Sequence, residues 1–205
     1  MAKKSFFFFY CILLVLQTSA QDASSKKFHF QGYSGGMMLH TGYLSGGEVK
    51  INPQEPIQLQ GVPFGLGGLL RFHLGKHLRI GGEGYNSTLH YEKNNSYTAL
   101  SWGGLLIDSP WKINKFTLFF GGTMGGGSVK NITAVNNHSS IEKEAIYRKY
   151  SVMLIDPFIG MEYALTHRMH LITKIDCIVD INGKQSDFTI GPRIYLGIVF
   201  FHGKK

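Results

Sequence analysis

Ile190-Gly191-Pro192-Arg193-Ile194-Tyr195-Leu196-Gly197-Ile198-Val199-Phe200 sets Ile190, Ile194, Leu196, Ile198 and Phe200 on one face of an extended chain and Gly191, Arg193, Tyr195 and Gly197 on the other. Alternation with period two marks a strand, because successive side chains point to opposite sides of the pleat. The contents of the two faces are unusual. The first is aliphatic and aromatic, and the second combines glycine with a charge. Residues 61–74 repeat the arrangement, with Phe64, Leu66, Leu70, Phe72 and Leu74 opposed to Gly65, Gly67, Arg71 and His73, and Leu69 as the exception.

Eight such runs span the chain, at 28–43, 61–74, 78–90, 97–107, 115–129, 151–165, 169–179 and 188–201. Parity changes near Gly81-Gly82, which would suit a bulge. Pro157 makes the sixth run ambiguous, since proline cannot donate to a ladder. Short connections at 75–77, 108–114 and 166–168 alternate with mostly longer ones at 44–60, 91–96, 130–150 and 180–187. The expectation is an all-β chain: a single eight-stranded antiparallel up-and-down transmembrane barrel over residues 21–205.

Composition agrees. The 205 residues include 26 glycines, about twice the usual share, and only 17% are charged. Glycine at that level is costly in helices, and plentiful aromatic and β-branched residues argue against disorder. Residues 1–20 carry Lys3 and Lys4, an apolar run from Phe6 to Leu16, and Thr18-Ser19-Ala20, the three parts of a cleavable export signal. Its apolar run is too short to span a bilayer as a helix. After its removal Cys177 is left without an intramolecular disulfide partner.

Charge decides which face meets lipid. Arg71, Arg79, Glu83, Asp156, Glu162, Lys174, Asp176 and Arg193 fall mainly on the glycine-rich face. Arginine or lysine turned to mid-bilayer lipid costs about 2–4 kcal/mol, so this face is expected to line the lumen as a balanced network. The remaining positive excess collects at the short-turn rim and termini, with Lys26, Lys27, Lys76, Lys112, Lys115, Arg168, Lys204 and Lys205 against Asp22 and Asp108. Anionic headgroups of the inner leaflet would suit that rim. Two aromatic bands are expected at the membrane interfaces. Phe72, Trp111, Phe116, Phe200 and Phe201 would form the short-turn band, and Tyr43, Tyr91, Tyr97, Tyr150 and Phe188 the other.

With these features the chain resembles small bacterial outer-membrane β-barrels of the OmpA/OmpX type. The carrying segments are Ile194-Tyr195-Leu196-Gly197-Ile198-Val199-Phe200-Phe201 and Pro157-Phe158-Ile159-Gly160-Met161-Glu162-Tyr163 before a tight turn. The resemblance implies location in the bacterial outer membrane with both termini in the periplasm. In one respect the chain departs from it: the family's last strand usually ends on an aromatic residue, whereas His202-Gly203-Lys204-Lys205 follow Phe201 here.

No catalytic or metal-binding set emerges, and no cofactor is expected. The glycine run 121–127 lacks the Lys-Ser/Thr of a phosphate loop. Some barrels of this size modify lipid A with His, Ser and an acidic residue, and His138, Ser139, Ser140 and Glu142 are the candidates for that alternative. A soluble lipocalin-like ligand-binding barrel is the other, and needs the inverse placement of polar and apolar faces. The expected role is structural or interactive. The partners would be outer-membrane lipid and an extracellular ligand or protein at the loops 44–60 and 130–150, with no role for nucleic acid despite a pI near 9.4.

Overall fold

A computed structural model describes residues 29–52, 55–91, 96–135, 144–183 and 185–203. The export signal and residues 137–142 lie outside the described residues. The strands are β1 (Phe30–Gly42), β2 (Leu44–Asn52), β3 (Glu55–Gly61), β4 (Phe64–Leu74), β5 (Arg79–His90), β6 (Tyr97–Ile113), β7 (Phe116–Val135), β8 (Glu144–Ala164), β9 (Met169–Cys177), β10 (Val179–Asp180) and β11 (Pro192–Gly203). The main sheet runs β10-β8-β7-β6-β5-β4-β1-β11-β9, and β9 pairs again with β8. The strands β1, β4 to β9 and β11 therefore close into an eight-stranded antiparallel barrel. β2 and β3 form a separate hairpin between β1 and β4.

The stagger of the barrel follows from its register. Partners followed from Gly32 run through His73, Arg79, Asp108, Gly121, Phe158, Asp176 and Arg193 and return to β1 at Gly42, ten residues further along. Such a stagger tilts the strands and leaves an interior just wide enough to be filled by side chains.

Three tight connections gather at one end. Gly75 adopts φ 72° and Asn114 adopts φ 56°. Glycine takes that left-handed conformation freely, and asparagine better than most side chains. In the third turn Thr166 Oγ1 accepts the backbone N–H groups of Arg168 and Met169.

On the outside, a belt of Leu70, Phe72, Leu105, Ile107, Phe120, Ile159, Ile175, Ile194, Leu196 and Phe200 is exposed. Asn86, Ser101, Ser128 and Ser151 are successive register partners on the outer face and bound this belt on the long-loop side. Beyond that row the polarity of the strands inverts. Thr88, Lys130 and Lys149 turn outward, and Leu89, Leu100 and Val129 turn inward.

This inversion corrects two expectations. β5 holds an unbroken register with β4 and β6, so no bulge lies at Gly81-Gly82. The apparent change of parity is a change of polarity along a continuous strand. The stretch 130–150 is likewise mostly strand: β7 and β8 pair out to Val135 and Glu144. Pro157 is accommodated without strain on the ladder. It pairs with Gly122 on one side, and on the other it falls between the β8–β9 and β8–β10 ladders, where its missing N–H breaks no bond.

Inside, bulky side chains lie over glycines. A Cβ on Gly160 would enter the Phe119 ring, one on Gly67 the Tyr85 ring, and one on Gly65 the His40 ring. Gly160→Ala should therefore cost about 1–3 kcal/mol by overpacking. A lower urea midpoint in detergent would register it, and an unchanged midpoint would show that Phe119 moves aside freely.

Candidate functional site

The lumen holds two ion clusters stacked along the barrel. Nearer the short turns, β4 supplies Arg71, β5 Arg79, β6 Asp108 and β8 Glu162. Arg71 donates to Asp108 at 3.1 Å and to Glu162 at 2.5 Å. Arg79 donates through Nε to Asp108 at 2.5 Å and through Nη1 to Glu162 at 2.8 Å. Both guanidinium groups also face the Phe119 ring, at 5.3 and 4.9 Å from its centroid. His170 Nδ1 lies 3.4 Å from Glu162 Oε2.

The second cluster centres on Lys174 of β9. Its ammonium lies 3.0 Å from Glu83 Oε2, 3.5 Å from Asp156 Oδ2 and 3.3 Å from Asp176 Oδ2. Thr123 donates to Glu83 at 2.6 Å. The rings of Tyr195, Phe158 and Tyr85 surround the ammonium at 4.4, 4.8 and 5.1 Å. Three carboxylates and the surrounding aromatic faces thus share one cation, and the Thr123 hydroxyl steadies Glu83.

All eight charged residues singled out from the sequence are buried on the inner face. Seven of them enter these two clusters; Arg193 sits opposite Asp176 across the β9–β11 pair, with Nε and Nη1 lacking a protein hydrogen-bond partner. Asp108, placed at the rim by its apparent turn context, is instead a shared acceptor of the first cluster. Its strand continues through Pro110 to Ile113, which carries Asp108 well inside the barrel. Strand parity was the signal that could have found it: Leu106 and Asp108 share a face.

The expected aromatic bands divide unequally. Phe72, Trp111, Phe116 and Phe200 are exposed on the outer face near the short turns, and Tyr43 is exposed at the other end. Tyr91 and Phe188 are buried, and Tyr150 is largely so, packed against the core. They belong to the polarity-inverted section rather than to an interfacial band.

The long-loop end is closed by chain. Ser45 and Ile190 exchange backbone hydrogen bonds, and Glu48 N–H donates to the Ser186 carbonyl, fixing the β2–β3 hairpin against residues 185–190. Behind this contact Leu44, Leu59, Leu89, Phe188 and Asp187 are buried. Arg148 Nη1 reaches Asp187 at 3.2 Å and anchors the segment from β8. The lumen is thus plugged by chain at one end and by ion pairs in the middle.

Chemically, a charge-lined interior inside an apolar exterior is the reverse of a soluble ligand-binding barrel. No family model matches the chain. No curated protein matches it either. Among solved structures, the chain is similar to Ail, the attachment invasion locus protein of Yersinia pestis, crystallised with the heparin analogue sucrose octasulfate. The TM-score is 0.52 at 13% identity over 84% of this chain and 99% of that one. It is similar to the same degree to Neisserial surface protein A, with TM-score 0.52 and 11% identity over 85% of this chain and 99% of the other. At such identities the likeness establishes the fold, an eight-stranded antiparallel barrel of the kind seen in small outer-membrane proteins.

Proposed function

We propose that the chain is an integral outer-membrane barrel with a structural and surface-interaction role and a lumen closed to solute flow. One observation carries the reading. The exposed outer belt is apolar and, among the described residues, bears no ionised side chain, whereas buried charges fill the interior. In water that distribution would expose a contiguous apolar surface far larger than soluble monomers tolerate, while lipid covers it favourably. The short-turn aromatics fit one membrane interface.

The long-loop end supplies the contact surface in this reading. The docked β2–β3 hairpin gives it a defined shape, and the complex of Ail with a polysulfated sugar is a precedent for ligand capture by such a barrel. The lumen network acts as a structural plug, because paired charges in a filled interior leave no continuous path.

Gel mobility of the membrane-extracted protein, unboiled against boiled, tests membrane integration. A folded barrel resists SDS until heated, so a shift is the expected result. Recovery in the soluble fraction without a shift would overturn the reading.

A further inference from the structure

The lumen is open at one end. Between the short turns and the first ion cluster lies a cavity of about 290 Å³, walled by Lys76, Lys112 and Lys115 and floored by Arg79 and Glu162. Lys76 lies in the β4–β5 turn, Lys112 at the end of β6 and Lys115 in the β6–β7 turn, yet all three line one space. The acid at the floor is already engaged: Glu162 accepts from Arg71 and Arg79 and faces His170. Arg79 is almost fully buried and spends Nε and Nη1 on Asp108 and Glu162, but its Nη2 has no hydrogen-bond partner. The cavity is thus walled by three ammonium-bearing side chains and floored by a residue, Arg79, whose buried Nη2 has no hydrogen-bond partner.

From this arrangement we infer that the short-turn mouth binds a small phosphate-bearing anion. Lysines act as point charges for phosphate, and guanidinium N–H groups add directed donors. A diphosphate group spans the cavity's size and offers enough charge to balance three lysines. A monocarboxylate offers one charge and leaves most of the positive field uncompensated. The same chemistry is presented by a phospholipid headgroup and by a free phosphate compound. The plug above makes the mouth a dead end, so a bound anion is held rather than passed. The inference rests on the barrel and its turns, and goes beyond the surface role proposed above.

Inorganic pyrophosphate is the probe, titrated by calorimetry into the folded protein in phosphatidylcholine nanodiscs at low salt. Saturable binding is expected, weakened at least about tenfold in K76Q/K112Q/K115Q, since each lost charge-assisted contact contributes appreciably. K130Q/K149Q, at the opposite end, should bind as the parent does. Retention of the heat-dependent gel shift in both variants separates loss of the site from loss of the barrel. Absent binding, or equal binding by the lysine variant, overturns the inference. With binding established, nanodiscs containing phosphatidylglycerol distinguish the sources. Weakened pyrophosphate binding there assigns the mouth to a headgroup, and unchanged binding assigns it to a soluble phosphate.

Discussion

Replacing Lys174 by methionine is expected to destabilise the barrel by about 3–5 kcal/mol, the cost of leaving buried partners of a charge uncompensated. The ammonium is the shared counter-ion of Glu83, Asp156 and Asp176, all buried with it. Methionine keeps the unbranched stem, one atom shorter, so lost packing contributes less than the lost charge. What remains is mutual repulsion among carboxyl groups in a site that water reaches poorly. Urea unfolding in detergent should show a midpoint well below that of the parent. Adding Glu83→Gln should restore part of the loss, because it removes one of the repelling charges. A single variant as stable as the parent would show that the acids are already neutral without the lysine and that the network is not held by charge.

Leu196→Arg is the second large effect, at about 2–4 kcal/mol when measured in a bilayer. Leu196 pairs with Leu39 and Thr173 and is 57% exposed in the middle of the outer belt. In water, an exposed Leu→Arg change on a strand would be close to neutral. In hydrocarbon the guanidinium loses its hydration. Asn86→Arg is the matching control, because Asn86 lies in the polar row that bounds the belt, and there the cost falls to about 0–1 kcal/mol. Equal, small effects at both sites in liposomes would place the belt in water and remove the membrane reading.

Most of the barrel was legible because lipid and lumen impose opposite demands on alternate residues. Residues 188–201 and 61–74 show that contrast undiluted. Leu69, the exception in its run, is buried inside the barrel on the same face as Arg71. Legibility failed where the strands leave the belt. In β5 the outward residues Gly82, Gly84, Asn86 and Thr88 are small or polar, while Tyr85 and Leu89 fill the interior. Period two survives there, but hydrophobicity has changed sides, and a sequence pattern cannot distinguish that from a slipped register. The same inversion made the outer parts of β7 and β8 resemble loop. Asp108 was misplaced for a different reason: Ser109-Pro110 after it has turn composition, yet both residues remain paired with β7. The mouth cavity was the least legible feature. Lys76 and Lys112 are distant in sequence, and the pairing of β5 with β6 sets the β4–β5 turn beside the end of β6.

The register that joins β1 to β11 has a consequence for the order of events in the cell. Its pairs run from Gly32–Gly203 to Gly42–Arg193, linking the first strand of the barrel to its last. No earlier strand can substitute, because β1 has only β4 on its other side. Until residues 192–203 join it, any partly assembled barrel is a sheet with two unsatisfied edges and a bare apolar surface, the form most prone to sticking to copies of itself. The seam therefore makes synthesis of β11 a precondition for sealing. It also assigns any escort that protects the chain during transit a defined target: an open sheet whose β1 edge waits longest.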